Sequence, residues 1–307
     1  MGIPAFEKLV NKLWELDANR LEINKDIILN LQAFIDLMRF YDPNVLVVES
    51  SSPEKIQSQK AFLDAILATP LMAEVRRYLE EKKLASPIDE EFKDMLGHLW
   101  FSAFKRKKRL SSSAFEHVFL GEGRGTKVLG FHYWLPLYLH EQEGSLNYFG
   151  YYEKVSDLCI PLQQCSRDHF TSMTFTMHNP IALETAMHFA APPHWQLHLF
   201  LTSCSSRVFS ASSLLTECYF ITGQGGLQNL LSVAFEWNSD WVKKHAKFLV
   251  GTSPEFEMGV YTAAFLTMNS IWPDGFRYAL SLRLNRSRMA VQCYRNSKVI
   301  LGSCYIV

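Results

Sequence analysis

The sequence predicts an α+β protein whose helices precede its strands. Between residues 5 and 110, apolar side chains recur at helical spacing, so that Phe6, Val10 and Leu13 of FEKLVNKLWELD would share one face. After residue 111, short runs rich in Val, Phe and Tyr alternate apolar with polar residues and are separated by glycine. Helical segments followed by strand segments favour α+β over a parallel α/β sheet.

The helical part ends in a dense basic run. Pro70, inside SQKAFLDAILATPLMAEVRRYLEEKKL, marks a break or a fresh helix start. The segment EEFKDMLGHLWFSAFKRKK keeps the helical spacing and leads into KRKKR, residues 105–109. We expect this run to be a solvated helix end, with a phosphate-steering patch or a nuclear localisation signal as the alternatives.

The sheet-rich part contains one exception to the strand pattern. The strand-like runs are FEHVFLGEG, KVLGFHYW, LNYFGYY, LLSVAFEWN, RYALSLRLN, MAVQCYRN and VILGSCYIV. In SPEFEMGVYTAAFL, by contrast, Ser253 followed by Pro254 is a helix N-cap pattern, with the carboxylates of Glu255 and Glu257 in the first turn. This segment therefore predicts a helix.

Residues 162–223 differ in composition from the rest of the chain. They include few charged side chains and no lysine, yet five of the ten histidines, at positions 169, 178, 188, 194 and 198. A metal site built on these histidines is the weaker interpretation, because none has HExxH-like spacing. We expect one domain over residues 1–307, with a helical part (5–110) and a sheet-rich part (111–307) that an insertion at about 162–223 interrupts.

The composition of the chain limits which binding partners and which cellular compartment are expected. Lys plus Arg and Asp plus Glu both number 31, so no overall basic field attracts nucleic acid and any RNA contact must be local. No window of apolar residues is long enough to predict a membrane span, and the charged N-terminus does not match a signal peptide. The chain is thus expected to be intracellular as given, or secreted if its N-terminus is incomplete. The six cysteines form no CxxC pair, which favours reduced thiols, and no repeat argues for assembly beyond a monomer.

Two histidines flank a glycine-rich turn. In EHVFLGEGRG…GFHYW, His117 and His132 are fifteen residues apart, and the turn GEGRG would bring them together in a hairpin. A pair of imidazoles suits proton transfer, because the unperturbed pKa of histidine, about 6.5, lies near working pH. On this pattern alone, two structural histidines in the core are the alternative.

Several ordered stretches of the chain match the motifs of one known family. SSAFEHVFLGE at 112–122 is similar to SSGFEHVFVGE, and GFHYW at 130–134 is similar to GFHNW. NYFGY at 147–151, VGTSPEFEMGVYTAAF at 250–265 and the C-terminal LGSCYIV are similar to further motifs of the same set. The chain thus resembles the EndoU family, the uridylate-specific endoribonucleases of animals and, more distantly, of nidoviruses. The resemblance covers nearly the whole chain except residues 162–223.

The resemblance implies a reaction and the residues that perform it. An EndoU-type enzyme would cleave single-stranded RNA at uridines, using the substrate's own 2′-OH as the attacking group and leaving 2′,3′-cyclic phosphate and 5′-hydroxyl ends. His117 would be the general acid, His132 the general base and Lys243 the cation near the phosphate. Lys244 is a close rival for Lys243, because one extra residue separates Trp237 from this lysine pair compared with the family.

The same resemblance implies residues for substrate and cofactor. Tyr305 and Ser303, in the GSCY ending, would bind the uridine-rich RNA together with Lys244. Glu116 and Glu122 flank the first histidine and would either hold a divalent cation, Mn²⁺ by resemblance, or orient that histidine. Carboxylate oxygens are ligands that suit Mn²⁺.

The chain also departs from the family pattern. Tyr133 stands where GFHNW has Asn, Ala114 stands where the family has Gly, and the 162–223 segment separates His132 from Lys243. Two alternatives follow from these departures. One is a catalytically silent RNA-binding member of the same fold, disabled by the insertion. The other is an unrelated metal-dependent hydrolase that uses the histidines of the inserted segment.

Overall fold

A computed structural model gives the fold. The structure describes residues 2–20, 41–44, 47–48, 51–106, 109–151, 230–285, 287–297 and 300–307. The predicted insertion, with its five histidines and the metal site considered for them, lies outside the described residues.

Some of the described helices begin after a Ser or Thr whose hydroxyl caps the first turn. The bounds of the described helices are Pro4–Leu16 (α1), Pro53–Leu67 (α2), Pro70–Glu81 (α3), Asp89–Phe101 (α4), Trp134–Gln142 (α5) and Pro254–Ile271 (α6), with one π-helical turn at Glu116–Leu120. Pro70 opens α3, and the Thr69 hydroxyl accepts a hydrogen bond from the Met72 amide. The predicted helix at SPEFE is confirmed, since the Ser253 hydroxyl caps α6 by accepting from the Phe256 amide at 3.1 Å.

The described strands form two main sheets and one short hairpin. Their bounds are Phe104–Arg106 (β1), Arg109–Ser112 (β2), Glu122–Arg124 (β3), Lys127–Leu129 (β4), Leu146–Tyr151 (β5), Leu230–Trp237 (β6), Trp241–Leu249 (β7), Arg277–Leu284 (β8), Ser287–Arg295 (β9) and Leu301–Ile306 (β10). The order β3-β4-β7-β6-β5 makes a five-stranded sheet, and β10-β9-β8 makes a three-stranded one. The α+β class is confirmed. The sheets are not both purely antiparallel, however, because β4 and β7 pair in parallel.

Two local predictions are wrong. The basic run does not extend a helix: α4 ends at Phe101, and Phe104–Arg106 forms a strand paired with β2. Ser102 already has an extended backbone, which ends the helix before the lysines begin. Cys293 and Cys304, expected as reduced thiols, face each other across β9 and β10 and are joined in a disulfide.

Helix α6 is the centre of the core. Nearly all of its side chains are buried, as expected for a helix that is apolar around its whole circumference. It packs on α1 and α3 on one side and on β9 and β10 on the other. Trp100 ties α4 to it by donating to the Thr262 hydroxyl at 2.9 Å. The helical part is thereby fixed to the three-stranded sheet. None of the helices in the described part of the chain is both long and apolar enough to span a bilayer.

Candidate active site

The predicted hairpin does bring the two histidines together. Strands β3 and β4 pair through Glu122↔Leu129, and the centroids of the His117 and His132 rings lie 6.0 Å apart. The stretch before the hairpin is not the strand that its alternating pattern predicted. It forms the π-helical turn Glu116–Leu120, a type of local irregularity that is frequent at functional sites.

Backbone hydrogen bonds fix the relative position of the two histidines. The amide of Phe131 donates to the His117 carbonyl at 2.9 Å, and the amide of His132 donates to the Val118 carbonyl at 2.8 Å. Gly130 allows this approach: its φ is +59°, and a Cβ there would lie 1.7 Å from the His117 carbonyl oxygen. The segment GFH therefore places His132 beside the turn that carries His117.

Glu122 orients the first histidine. Its Oε2 lies 2.9 Å from Nδ1 of His117, and its side chain is fully buried. A carboxylate at this distance accepts a hydrogen bond from Nδ1–H, so Nε2 of His117 is left to exchange a proton with another group. Glu116, the other predicted acid, is also buried.

Lys243 lies beside the histidines, and Lys244 does not. Lys243 is half-buried on β7, and its Nζ donates to the carbonyl of Gly130, between the two histidines in the chain. Lys244 is exposed, because successive side chains of a strand point to opposite faces. Burial lowers the pKa of Lys243 from 10.5 to about 8.

The surroundings of His132 favour its neutral form. Burial is the main cause that lowers its pKa well below 6.5, followed by the positive charge of Lys243 and then by His117. Tyr305, on β10, stacks on the imidazole with ring centroids 4.0 Å apart and ring planes at 7°. The site residues of the five-stranded sheet therefore meet the three-stranded sheet at His132.

A row of aromatic rings continues from this contact along the three-stranded sheet. Tyr294 is stacked next to Tyr305 at 6.2 Å between centroids, and Phe276 lies edge-on to Tyr294 at 6.0 Å. Arg277 places its guanidinium 5.7 Å from the centre of the Tyr294 ring. We call Tyr305, Tyr294 and Phe276 the aromatic row. Phe276, at its far end, is 69% exposed.

Gln292 joins two members of the aromatic row, and the sequence had not singled it out. Its Nε2 lies 2.7 Å from the hydroxyls of both Tyr294 and Tyr305. The signal was present in the strand alternation, because Gln292 is opposite Tyr305 in the β9–β10 register and thus shares its face. Ser303 is on the same face, two residues from Tyr305; it is buried, and its hydroxyl has no hydrogen-bond partner among the described residues.

The predicted metal ligands do not form a metal site. In the described parts of the chain, no three His, Cys, Asp or Glu side chains group as ligands for an ion. Glu122 already accepts from His117, and Glu116 and Glu122 are both buried. Two enclosed carboxylates, one of them committed to an imidazole, do not provide the several oxygen ligands that a hard divalent cation requires. Orientation of His117 is the role of Glu122 that the geometry favours.

Comparison with known proteins identifies the family. A family model described as Endoribonuclease XendoU matches residues 31–207 and 217–306, and so includes most of the 162–223 segment. The chain belongs to this family.

Two relatives and one solved structure extend the comparison. The chain is 30% identical to "Uridylate-specific endoribonuclease B" of Danio rerio over 242 residues, 65% of this chain and 84% of that protein. It is 27% identical to "Poly(U)-specific endoribonuclease" of Xenopus tropicalis over 300 residues, 85% of this chain and 80% of that protein. A solved structure, "The structure of XendoU: a splicing independent snoRNA processing endoribonuclease", matches with a TM-score of 0.67 and 24% identity. That match covers 100% of this chain and 98% of the other, and it shows the shared fold.

Proposed function

We propose that this protein is an endoribonuclease that cleaves single-stranded RNA at uridines. The observation that carries the proposal is the grouping of two imidazoles and one lysine on backbone-fixed positions around Gly130. RNA cleavage by the substrate's own 2′-OH needs no protein nucleophile; it needs a base, an acid and a positive charge near the phosphate. His132, His117 and Lys243 are suited to these roles in that order.

The first proton transfer is assigned to His132. Its lowered pKa keeps the imidazole neutral near neutral pH, so it can accept the proton of the 2′-OH. The 2′-oxygen then forms a bond to phosphorus. A general base in this position contributes about 10²–10⁴ in rate.

The second proton transfer is assigned to His117. Its Nδ1 is held by Glu122, so Nε2 delivers a proton to the 5′-oxygen as the bond between that oxygen and phosphorus breaks. The products are a 2′,3′-cyclic phosphate and a 5′-hydroxyl. After the reaction His132 has gained one proton and His117 has lost one, which water exchange restores.

Lys243 is assigned to the phosphate. Its ammonium group lies beside the histidines, and buried charge acts on developing negative charge more strongly than exposed charge does. Since its pKa is about 8, Lys243 carries its charge at neutral pH and loses it as the pH rises through 8. Lys244, being exposed on the other face, remains a candidate only for RNA binding.

The aromatic row supports single-stranded RNA as the substrate. Aromatic side chains stack on unpaired bases, and a nearby cation such as Arg277 contributes attraction to the phosphates. Stacking tolerates any base, so uridine preference requires hydrogen bonds, for which the buried Ser303 hydroxyl is a candidate. We assign Tyr305 and Ser303 to substrate binding, and we expect the protein to act as a monomer.

A divalent cation is kept as a separate question. Stimulation by Mn²⁺ is expected from the family resemblance, but the enclosed carboxylates of Glu116 and Glu122 do not by themselves form a site for the ion, and no step above uses a cation. Cleavage measured with Mn²⁺, with Mg²⁺ and with a chelator will decide it. Stimulation by Mn²⁺ that Glu116→Gln abolishes would assign the ion to this position; equal rates in the chelator would remove it.

The decisive experiment is cleavage of a short RNA that contains one uridine. Mass analysis of the new 3′ end should show a cyclic phosphate after that uridine. A matched oligonucleotide with 2′-deoxyuridine at the same position should stay intact, since it lacks the attacking group. His117→Ala should also leave the RNA intact. RNA that is bound but never cleaved would overturn the proposal and favour a catalytically silent RNA-binding protein.

A further inference from the structure

The carboxyl group of Glu257 is buried where three parts of the candidate site meet. Glu257 is 1% exposed, in the first turn of α6. Its Oε1 lies 2.8 Å from the Thr252 hydroxyl, and its Oε2 accepts from the Tyr261 hydroxyl at 2.9 Å. A pair of hydrogen bonds to one buried carboxyl fixes both of its oxygens.

Thr252 connects this carboxyl to the segment that follows His132. The Thr252 carbonyl accepts two hydrogen bonds, from the Tyr133 hydroxyl at 2.9 Å and from the Trp134 indole N–H at 2.8 Å. These donors are the two residues directly after His132. The position of Thr252 therefore determines where the chain leaves the general base.

Two more connections reach the remaining site residues. The Thr252 hydroxyl also lies 2.8 Å from the carbonyl of Leu249, the last residue of the strand that carries Lys243. The Tyr261 hydroxyl accepts from the backbone amide of Ile306, the residue after Tyr305. Glu257 thus joins, through two hydroxyls, the elements that hold His132, Lys243 and Tyr305.

The number of protons available for these hydrogen bonds indicates the protonation state of Glu257. The Thr252 hydroxyl has one proton and faces two oxygens, the Leu249 carbonyl and Oε1 of Glu257, both at 2.8 Å. A carbonyl oxygen has no proton to give. If the hydroxyl donates to Leu249, the proton between Thr252 and Glu257 must come from the carboxyl group. Both contacts are satisfied only when Glu257 is a neutral carboxylic acid.

The environment of Glu257 agrees with this count. Burial is the main cause that raises its pKa from 4.5 to about 8, and the negative charge of Asp17 raises it further, against the lowering effect of the two hydroxyls. The other titratable groups that face it are Tyr133 and Tyr261. Burial raises the pKa of both tyrosines well above 10, so they stay neutral. Glu255, two residues earlier in the helix, raises the pKa of Tyr133.

We propose that Glu257 is a positioning residue. As a neutral acid it donates a hydrogen bond to Thr252 and accepts one from Tyr261. These two hydrogen bonds fix the relative positions of His132, Lys243 and Tyr305. The idea rests on the proposed function. Loss of the proton would turn the Thr252 hydroxyl away from Leu249 and loosen the end of β7. The active arrangement is therefore tied to one buried proton.

The first test needs no RNA. Glu257→Gln keeps a donor and an acceptor but cannot titrate, and Glu255→Gln is the matched control from the same helical turn. Below about pH 4.5 the carboxyl is protonated in both the folded and the unfolded state. Between about pH 4.5 and 8 only the folded state keeps the proton, so the free energy of unfolding falls as the pH rises through this range. The melting temperature of the wild type should therefore fall relative to Glu257→Gln between pH 5 and pH 8. A difference that stays constant over this range would overturn the inference.

The second test uses cleavage as a function of pH. Above pH 8 the wild type should lose activity through both Lys243 and Glu257, and the Glu257→Gln variant through Lys243 alone. The alkaline limb of kcat should become less steep in Glu257→Gln, toward about tenfold per pH unit, and stay as in the wild type in Glu255→Gln. Identical limbs in all three proteins would refute the positioning role. Absence of cleavage in the wild type would count against the proposed function instead, while the melting curves would still decide the protonation state.

Discussion

On the side of the five-stranded sheet, the site residues are at least half-buried and are fixed by hydrogen bonds to the backbone. On the side of the three-stranded sheet, Tyr305 and Tyr294 of the aromatic row are half-buried, and Phe276 at its far end is 69% exposed. We call the first side, with His117, His132 and Lys243, the buried wall, and the second, with the aromatic row, the aromatic wall. The buried wall contains the charged and proton-transferring groups, and the aromatic wall presents ring faces. Chemistry requires groups that do not move when charge develops, whereas binding a flexible strand requires surface that remains accessible. Substitutions in the buried wall should therefore mainly lower kcat, and substitutions in the aromatic wall should mainly weaken RNA binding.

The largest effect is expected on the buried wall, at His132. His132→Ala should lower kcat by about 10²–10⁴, since the variant lacks the proposed general base. Binding should be measured alongside on 2′-deoxyuridine RNA, which cannot react. His98→Ala, an exposed histidine on α4, is the control and should cleave like the wild type. A similar loss in both variants would mean that the fold, not the base, had been damaged.

The next effect should separate two adjacent lysines. Lys243→Met should lower kcat by about 10²–10³, comparable to removing one donor that stabilises a transition state. Lys244→Met removes the same charge from the exposed face and should change only the affinity, measured from the salt dependence of binding. If Lys244→Met were the variant that lost kcat, the assignment of the phosphate contact would move to Lys244.

On the aromatic wall, Tyr305→Ala should weaken binding by about 1–3 kcal/mol, the range for loss of one stacked base. Because Tyr305 also stacks on His132, kcat should fall too. Tyr305→Phe keeps the ring and loses the hydroxyl with its hydrogen bonds to Gln292 and Tyr294, so it should be the milder change. Titration of fluorescent RNA against both variants gives the comparison; equal losses would assign the effect to the hydroxyl instead of the ring.

A smaller, graded effect should appear with pH. Lys243 has a pKa of about 8, so the loss of its charge should contribute about tenfold per pH unit to the fall in cleavage above that value, beside the contribution of Glu257. In Lys243→Arg, whose side chain stays charged, the fall should be less steep even if the maximal rate is lower. A limb that is unchanged in Lys243→Arg would show that Lys243 does not govern it.

The smallest effect is expected at the exposed end of the aromatic row. Phe276→Ala should weaken binding of a long RNA by a few-fold, consistent with about 1 kcal/mol for one stacked base. It should leave binding of a dinucleotide unchanged, since that ligand is too short to reach Phe276. Affinity as a function of RNA length tests this directly. A loss that is equal for long and short ligands would mean that the aromatic row does not follow the strand.

The sequence predicts the class of fold and most of the elements, because helical and strand periods and capping residues such as Ser253 are local signals. The prediction is wrong where contacts between distant parts of the chain determine the local structure. The alternation in FEHVFLGEG indicates a strand, but the approach of the GFH segment to the His117 carbonyl stabilises a π-helical turn there. Periodicity likewise extends α4 into the basic run, although β2 pairs with that segment.

The candidate site was partly predictable for the same reason. His117 and His132 stand out in a local motif, and the hairpin between them has a glycine signature. Glu257 was predicted only as an acid that complements a helix dipole; its burial beneath Thr252 depends on chain segments that are distant in sequence. Gln292 and Arg277 reach the site through strand register, which a single sequence does not fix.

The peptide between Gly130 and Phe131 has a consequence for how such a protein can evolve. Its carbonyl oxygen accepts from Lys243, and its N–H donates to the His117 carbonyl, one residue before His132. Hydrogen bonds of this one peptide unit therefore position all three candidate catalytic groups. A side chain at Gly130, whose Cβ would lie 1.7 Å from the His117 carbonyl oxygen, would displace the three groups together. Any descendant that retains this arrangement must therefore retain glycine at position 130.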